Sequence, residues 1–338
     1  MVAFVSVLCG ATGCAEMSSF GRAKAHIFRD FLKLRHAIPS HDTFSTVFRM
    51  IDPRALDAAF GQVFADVEAL LADGDVVAVD GKSLRGARDK GQSVNTRMMV
   101  SAYASRLRLT LASVPADRGA ELDAALEALG LIALRGKVVT ADALHCNRRT
   151  VEAINAQGGD WCLTLKANQD SLLSDARACF ATADADHPVA RREEVGHGRK
   201  ETRAATVVSA RGLADHHDFP GLKGFGRIEA TREIDGVATS QTRFFALSWL
   251  PTPEVLLDTV RAQWAVENNL HWQLDVSLRE DGARNRKDNA PANLAVLRRR
   301  ALDVVKRDTS KGSLSIKIKR AGWDEPFLYS LLNNLPQA

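Results

Sequence analysis

The chain has 338 residues, 46% hydrophobic and 25% charged, with a formal net charge of +4 and a pI near 8.8. That length holds one large domain or two ordinary ones, and so small an excess of positive charge does not by itself mark a nucleic-acid binder. No apolar run reaches the roughly 18 residues of a membrane span. The five cysteines, Cys9, Cys14, Cys146, Cys162 and Cys179, include no Cys-x-x-Cys pair, which excludes a disulfide framework and a zinc knuckle and points to a reducing, cytoplasmic setting.

Residues 1 to about 70 read as helical. The apolar stretch 2–15 lacks the basic start of a signal peptide, and its period suits a buried helix. Phe20, Ala23, Ile27, Phe31 and Leu34 recur at spacings of three and four, on one helix face. Pro39-Ser40-His41-Asp42 stops that helix and caps another, with Ser40 or Asp42 as N-cap and Phe44, Val47, Phe48 and Ile51 pointing inward. The pair fits either a DNA-binding helix-turn-helix or an ordinary helical hairpin. A third helix, about 54–72, leads into the stretch GDVVAVDGKSLRG at 74–86.

In that stretch Val76, Val77, Ala78 and Val79 make a short apolar run bounded by Gly-Asp and Asp-Gly, as a buried strand does. It delivers Asp80 to its tip. Two more strands follow at 98–104 and 107–114, then a short helix at 122–129. The strand at 138–141 ends in Asp142, a helix covers 148–156, and the strand at 161–165 ends in Lys166. Three consecutive strands make an antiparallel meander, and the two reached through helices join it in parallel. This is the element order of the ribonuclease-H-like α/β fold. Residues 170–250 break the pattern with a helix, a polar stretch at 191–203 holding Gly196-His197-Gly198-Arg199, and strands at 205–209, 226–233 and 242–248, a β-rich insertion. A helical pattern from Pro253 to Asp275 sets Val260, Trp264, Glu267, His271 and Leu274 on one stripe facing the sheet. Trp161, Trp264 and Trp272 read as core residues. The expected division is a helical domain at 1–70, a catalytic core at 74–169 and 251–320, the insertion at 170–250, and a tail at 321–338.

Asp80 and Asp142 end neighbouring strands, where ligand sites of open α/β sheets gather, and Glu267 projects from a helix crossing the same sheet. Each has an ordinary reading: Asp80-Gly81 as a turn, Asp142 as an N-cap, Glu267 as a partner of Arg261 or Arg279. Together, three convergent carboxylates suit Mg²⁺ or Mn²⁺. Two such ions about 3.5–4 Å apart serve in-line phosphodiester displacement.

The segments VAVDGKSLRGA, VVTADALHCNRRTVEAI, GGDWCLTLKANQ, EVGHGRKETR, QWAVENNLHWQLDVSLRED and NAPANLAVLRRRAL resemble DDE transposases of the insertion-sequence type called ISAs or H-repeat-associated. The resemblance extends over almost the whole chain. It implies a ribonuclease-H-like core, a β-insertion before the last catalytic helix, and Mg²⁺-dependent cutting and joining of DNA. Carried over, the catalytic and metal-binding triad is Asp80, Asp142 and Glu267. Arg261 resembles the arginine that accompanies the glutamate in related transposases, whereas the lysine that follows it there has no match, since position 273 is Gln273. The family's FRED-x-SR pattern has Leu278 and Ala283 in place of its phenylalanine and serine. The chain also begins inside what resembles the family's first hydrophobic helix, so about a helix of N-terminal sequence is expected to be missing.

From Arg279 to Arg320 there are 13 Lys and Arg against 5 Asp and Glu, so the remainder of the chain is net negative. Arg298, Arg299 and Arg300, together with Lys82, Arg85, Lys166, His197, Arg199, Arg203 and Arg261, are the candidate DNA contacts. The expected function is DNA cleavage at element ends and strand transfer, carried out by a homodimer or larger assembly on DNA with no membrane partner. The competing readings are a catalytically silent DNA-binding remnant and a ribonuclease-H-like repair nuclease.

Overall fold

The computed structural model describes residues 1–32, 34, 37–87, 97–117, 119–183, 187–196 and 198–333. Six helices precede the first strand: α1 (Val2–Leu8), α2 (Cys14–Ala23), α3 (Ala25–Leu32), α4 (His41–Met50), α5 (Pro53–Val63) and α6 (Ala65–Ala69). Ser40 caps α4, its hydroxyl accepting the Thr43 N–H at 3.2 Å, and Asp52 caps α5 with Pro53 in its first turn. The link from Leu32 to His41 is longer than the three or four residues of a helix-turn-helix. Phe44 and Phe48 of α4 are buried while Val47 is exposed. The first of the two helical readings is therefore set aside for a hairpin packed on the body of the protein.

The alternating part follows: β1 (Val76–Ser83), β2 (Arg97–Ala104), β3 (Leu109–Asp117), α7 (Glu121–Gly130), β4 (Val138–Ala141), α8 (Arg148–Ala156), β5 (Asp160–Leu165) and α9 (Asp170–Ala181). Next come β6 (Val189–Gly196), β7 (Arg199–Ser209), α10 (Leu213–His216), β8 (Gly224–Ile234) and β9 (Val237–Leu247). The nine strands form one sheet in the order β3-β2-β1-β4-β5-β9-β8-β7-β6. β1, β2 and β3 pair antiparallel, and β4 and β5 add in parallel to β1. β9 then pairs antiparallel with β5, so the strands after residue 188 extend the same sheet. The described part of the polar stretch 191–203 belongs to the paired strands β6 and β7. Asp235 and Gly236, both at positive φ, turn β8 into β9.

Period two sorts β1 between the two faces. Val77 and Val79 pack with Ala128, Val151 and Trp161 under α7 and α8. Val76 lies in a cluster with Leu256 and Val260 of α11 (Pro253–Gln263), and Ala78 lies with Leu270 and Leu274 in the segment beyond it. The helical pattern expected to run on to Asp275 is interrupted: α11 ends at Gln263, a π turn covers Glu267–His271, and α12 runs Trp272–Val276. The wider turn rotates the stripe, leaving Trp264 and Trp272 47% and 55% exposed while Trp161 is fully buried. Two of the three tryptophans are thus not core.

The long helix α13 (Ala290–Arg307) runs through the molecule, its Leu294, Leu297 and Leu302 sharing a cluster with Phe4, Leu8, Met17 and Phe28 of the N-terminal helices. The N-terminal helices therefore have no separate core. Beyond it lie α14 (Leu314–Trp323) and α15 (Glu325–Asn333), and the buried Phe327, Leu328 and Leu331 make part of the expected tail a packed helix.

Candidate active site

Val79 of β1 and Ala141 of β4 are the last partners of their parallel ladder, so Asp80 and Asp142 sit side by side just beyond it. β1 itself runs on to Ser83 in its pairing with β2, which puts Asp80 within the strand and not at the tip expected from sequence. By the two-residue period Asp80 shares a face with Ala78, and Asp142 with Val138 and Thr140; both look toward the side covered by α11 and the π turn. Glu267 opens that π turn, a local widening that is frequent at functional sites. All three carboxylates line one cleft of about 610 Å³, together with Lys166, Arg177, Arg243 and Trp264.

Asp80, Glu267 and His271 are drawn closest, with one ligand atom from each inside a 4.8 Å circle. His271 Nδ1 is 3.6 Å from Asp80 Oδ2 and 3.5 Å from Glu267 Oε2. Burial pushes the Asp80 carboxyl up to about 7, with the charges of Glu267 and Asp142 adding to the rise and His271 opposing it. The neighbouring His271 ring holds Glu267 below the ordinary glutamate range. Asp142 is half exposed, and its Oδ1 accepts the Leu144 N–H at 2.9 Å, capping the turn 143–145. The capping reading and the site reading thus apply to the same side chain.

Two groups beneath the cleft carry no pattern in sequence. Glu121 opens α7 and reaches Gly81, where a Cβ would collide with its carboxylate, and burial followed by the Asp142 charge raises its carboxyl above the ordinary range. His145 is buried, 3.8 Å from Glu121 and 3.9 Å from Asp142, and burial lowers its imidazole below the usual value. They are brought to the carboxylates by α7 packing on β1 and on the turn 143–145, which only the tertiary structure reveals.

The candidate DNA contacts divide sharply. Lys82 is 7% exposed and ion-paired with Asp275 at 2.8 Å and Asp281 at 3.3 Å, so it ties β1 to the segment after Glu267 and cannot reach a phosphate. Arg298, Arg299 and Arg300 are 2%, 0% and 1% exposed. Arg298 Nη2 donates to the Thr12 carbonyl, Arg299 Nη1 to Glu280 at 2.9 Å, and Arg300 Nη2 to Asp57 at 2.8 Å. The run that read as a basic surface is an internal brace, and its guanidiniums are spent on buried carboxylates and carbonyls. Much of the C-terminal positive charge lies inside with it: Lys317 is buried against Asp308, and Lys306 is held beside Tyr103.

The remaining candidates are accessible. Arg85 is exposed, 3.5 Å from Asp281, and Lys166 is exposed in the cleft. Arg199, Arg203 and Arg261 line a neighbouring groove of about 940 Å³ between α11 and β7–β9, where they pair with Glu194 and Glu201. Arg261 thus meets Glu194 at 2.5 Å rather than Glu267. His197 lies outside the described residues. Groove and cleft meet at Gln241, Arg243 and Trp264, with the Arg243 guanidinium stacked 4.5 Å above the Trp264 ring.

With three acidic groups on one cleft, comparison with known proteins becomes decisive. A model described as the transposase DDE domain matches residues 71–302, and a model of the segment associated with it matches residues 1–63. The chain belongs to the DDE transposase family. It is 29% identical over 345 residues to YbfL of Escherichia coli K12, covering 98% of this chain and 90% of the relative. YhhI of the same organism, named with the H repeat-associated transposases, matches at the same identity and coverage. A protein from the dhlA 3′ region of Xanthobacter autotrophicus is 35% identical over 259 residues, covering 75% of this chain and 86% of the relative. Among solved structures, a piggyBac transposase in a synaptic complex with hairpin DNA matches at 12% identity and a TM-score of 0.45, over 99% of this chain and 72% of the other. No described helix of this transposase is long and apolar enough to cross a membrane.

Proposed function

We propose that this chain is a catalytically competent transposase that cleaves DNA at the ends of its element and joins the freed 3′-hydroxyl to target DNA. The observation that carries the reading is that Asp80, Asp142 and Glu267 line one cleft, the two aspartates side by side where the parallel β1–β4 ladder stops. The strand order 3-2-1-4-5 with antiparallel β1–β3 and parallel β4–β5 supports a ribonuclease-H-like core, with β6–β9 as the insertion. The proposed domains are this core, with α11–α13, and the helices of residues 1–70 docked on it.

The residues fit divalent cations. Their donors are hard oxygens, as Mg²⁺ and Mn²⁺ prefer, and the half-buried Asp80 sits among other negative charges that a cation would relieve. Asp80, Asp142 and Glu267 would hold one or two ions. When bound, such ions activate the attacking hydroxyl and stabilise the leaving oxygen of an in-line displacement. The protein's own part is positional. β1 and β4 fix two carboxylates on one face, while the Lys82 ion pairs with Asp275 and Asp281 hold the Glu267 segment against the strand.

DNA is proposed to run along the cleft and the adjoining groove, where Lys166, Arg199, Arg203, Arg243 and Arg261 are placed to meet phosphates. Joining two element ends to one target implies at least two copies on the DNA. The test is incubation of purified protein with a duplex carrying the flanks of its own gene, with and without Mg²⁺ or Mn²⁺. Metal-dependent nicking at the element boundary supports the reading. Binding without cutting in either metal would favour the silent DNA-binding remnant.

A further inference from the structure

His271 falls on the inward stripe of the sequence pattern with no chemistry attached, and the family's acidic triad does not include it. In the structure its ring is 7% exposed, and its Nε2 has no hydrogen-bond partner among the described residues. Its Nδ1 faces Asp80 Oδ2 at 3.6 Å and Glu267 Oε2 at 3.5 Å. We infer that His271 is a cation ligand through Nδ1, completing with Asp80 and Glu267 a mixed oxygen–nitrogen site.

The spacing supports this. Separations of 3.5–3.6 Å are too long for good hydrogen bonds. They lie just above the spacing of neighbouring donors around a shared ion, since bonds of about 2.1 Å subtending 90–110° put adjacent donor atoms about 3.0–3.5 Å apart, so a small inward shift of the side chains would suffice. The helix supplies the second support. Residues four apart lie on the same side of a helical turn, and the π turn from Glu267 to His271 directs both toward the Asp80 end of β1. Asp142 is outside this closest group yet lines the same cleft. A nitrogen donor shifts preference away from Mg²⁺, which favours oxygen, and toward Mn²⁺, which accepts imidazole more readily.

This assignment rests on the metal-dependent reading of the cleft, and the experiment separates the two. Mn²⁺ is titrated into the full-length protein without DNA, and the bound ion is examined by pulsed electron paramagnetic resonance for nitrogen coupling. Expected are a nitrogen coupling of direct-imidazole strength, its loss in His271→Gln, and its persistence in His145→Gln, which removes the other buried ring near the cleft. Calorimetry should show Mn²⁺ affinity falling about tenfold or more in His271→Gln, with a smaller fall for Mg²⁺. His271→Lys tests the rival role of a fixed counter-charge: it restores positive charge without a ligand, and metal affinity should stay lost. Circular dichroism confirms that each variant is folded. Bound Mn²⁺ without nitrogen coupling, or coupling unchanged in folded His271→Gln, overturns the inference and leaves the carboxylate site standing. No Mn²⁺ binding that depends on Asp80 would overturn both.

Discussion

Arg299→Met should destabilise the fold by about 3–5 kcal/mol, the usual cost of breaking a buried ion pair from one side. Arg299 and Glu280 are both essentially inaccessible and meet at 2.9 Å, and Arg299 Nε also donates to Ser101 Oγ at 3.1 Å. Methionine fills much of the arginine stem but leaves the Glu280 charge unpaired in the interior, where its Oε2 already lacks a partner among the described residues. Against a typical total of about 5–15 kcal/mol, that loss is a large fraction. Replacing both residues, Arg299→Met with Glu280→Leu, should recover most of it, because no charge is then left buried. Urea unfolding is the assay: the single variant should move the midpoint strongly at an unchanged slope, and the double variant should move it back. A single variant that costs less than about 1 kcal/mol and lowers the salt slope of DNA binding by about one unit would refute the reasoning, because that is how a surface phosphate contact behaves.

Lys166→Ala, on an exposed cleft residue, should flatten the salt slope of duplex binding by about 0.9 and leave thermal stability within about 0.5 kcal/mol. Gly86→Ala places a methyl where the Ala283 and Asp281 carbonyls already stand; a loss of about 1–3 kcal/mol in denaturant unfolding is expected from such overpacking. Asp303 has its carboxyl pushed up to about 6 by burial from an ordinary 3.8. The native state therefore keeps a proton that the unfolded chain has lost between those values, and stability falls as pH rises through that window. Asp303→Asn should remove this part of the slope in melts between about pH 4 and 6.

Local signals were enough to find β1, β4 and β5, because each is an apolar run bounded by turn residues, and their order implied how they pair. The same runs placed Asp80 and Asp142 side by side, although β1 continues past Asp80 to Ser83 because Gly81, Lys82 and Ser83 go on pairing with β2 instead of turning at Asp-Gly. Glu267 was found as a carboxylate on an apolar stripe, although the π turn that aims it has no sequence mark. Arg298, Arg299 and Arg300 were misread because a run of three arginines resembles a solvated face. What buries them is the approach of Thr12 and Asp57 from the far N-terminal part of the chain and of Glu280 from the turn before α13. Lys82 was misread likewise, its partners Asp275 and Asp281 lying nearly 200 residues away. Glu121, His145 and His271 each stand alone in the sequence, and only the packing of α7, the turn 143–145 and the π turn around β1 gathers them.

The most direct measurement compares Asp142→Asn with the parent protein on one labelled duplex carrying an element end, reading binding and cleavage together. Asparagine keeps the shape of the side chain and removes the charge needed to hold a cation. The expected result is unchanged binding, with cleavage in Mg²⁺ or Mn²⁺ reduced by several orders of magnitude. Cleavage near the parent rate would show that Asp142 serves only to cap the turn at 143–145, and the catalytic reading of the cleft would fail with it.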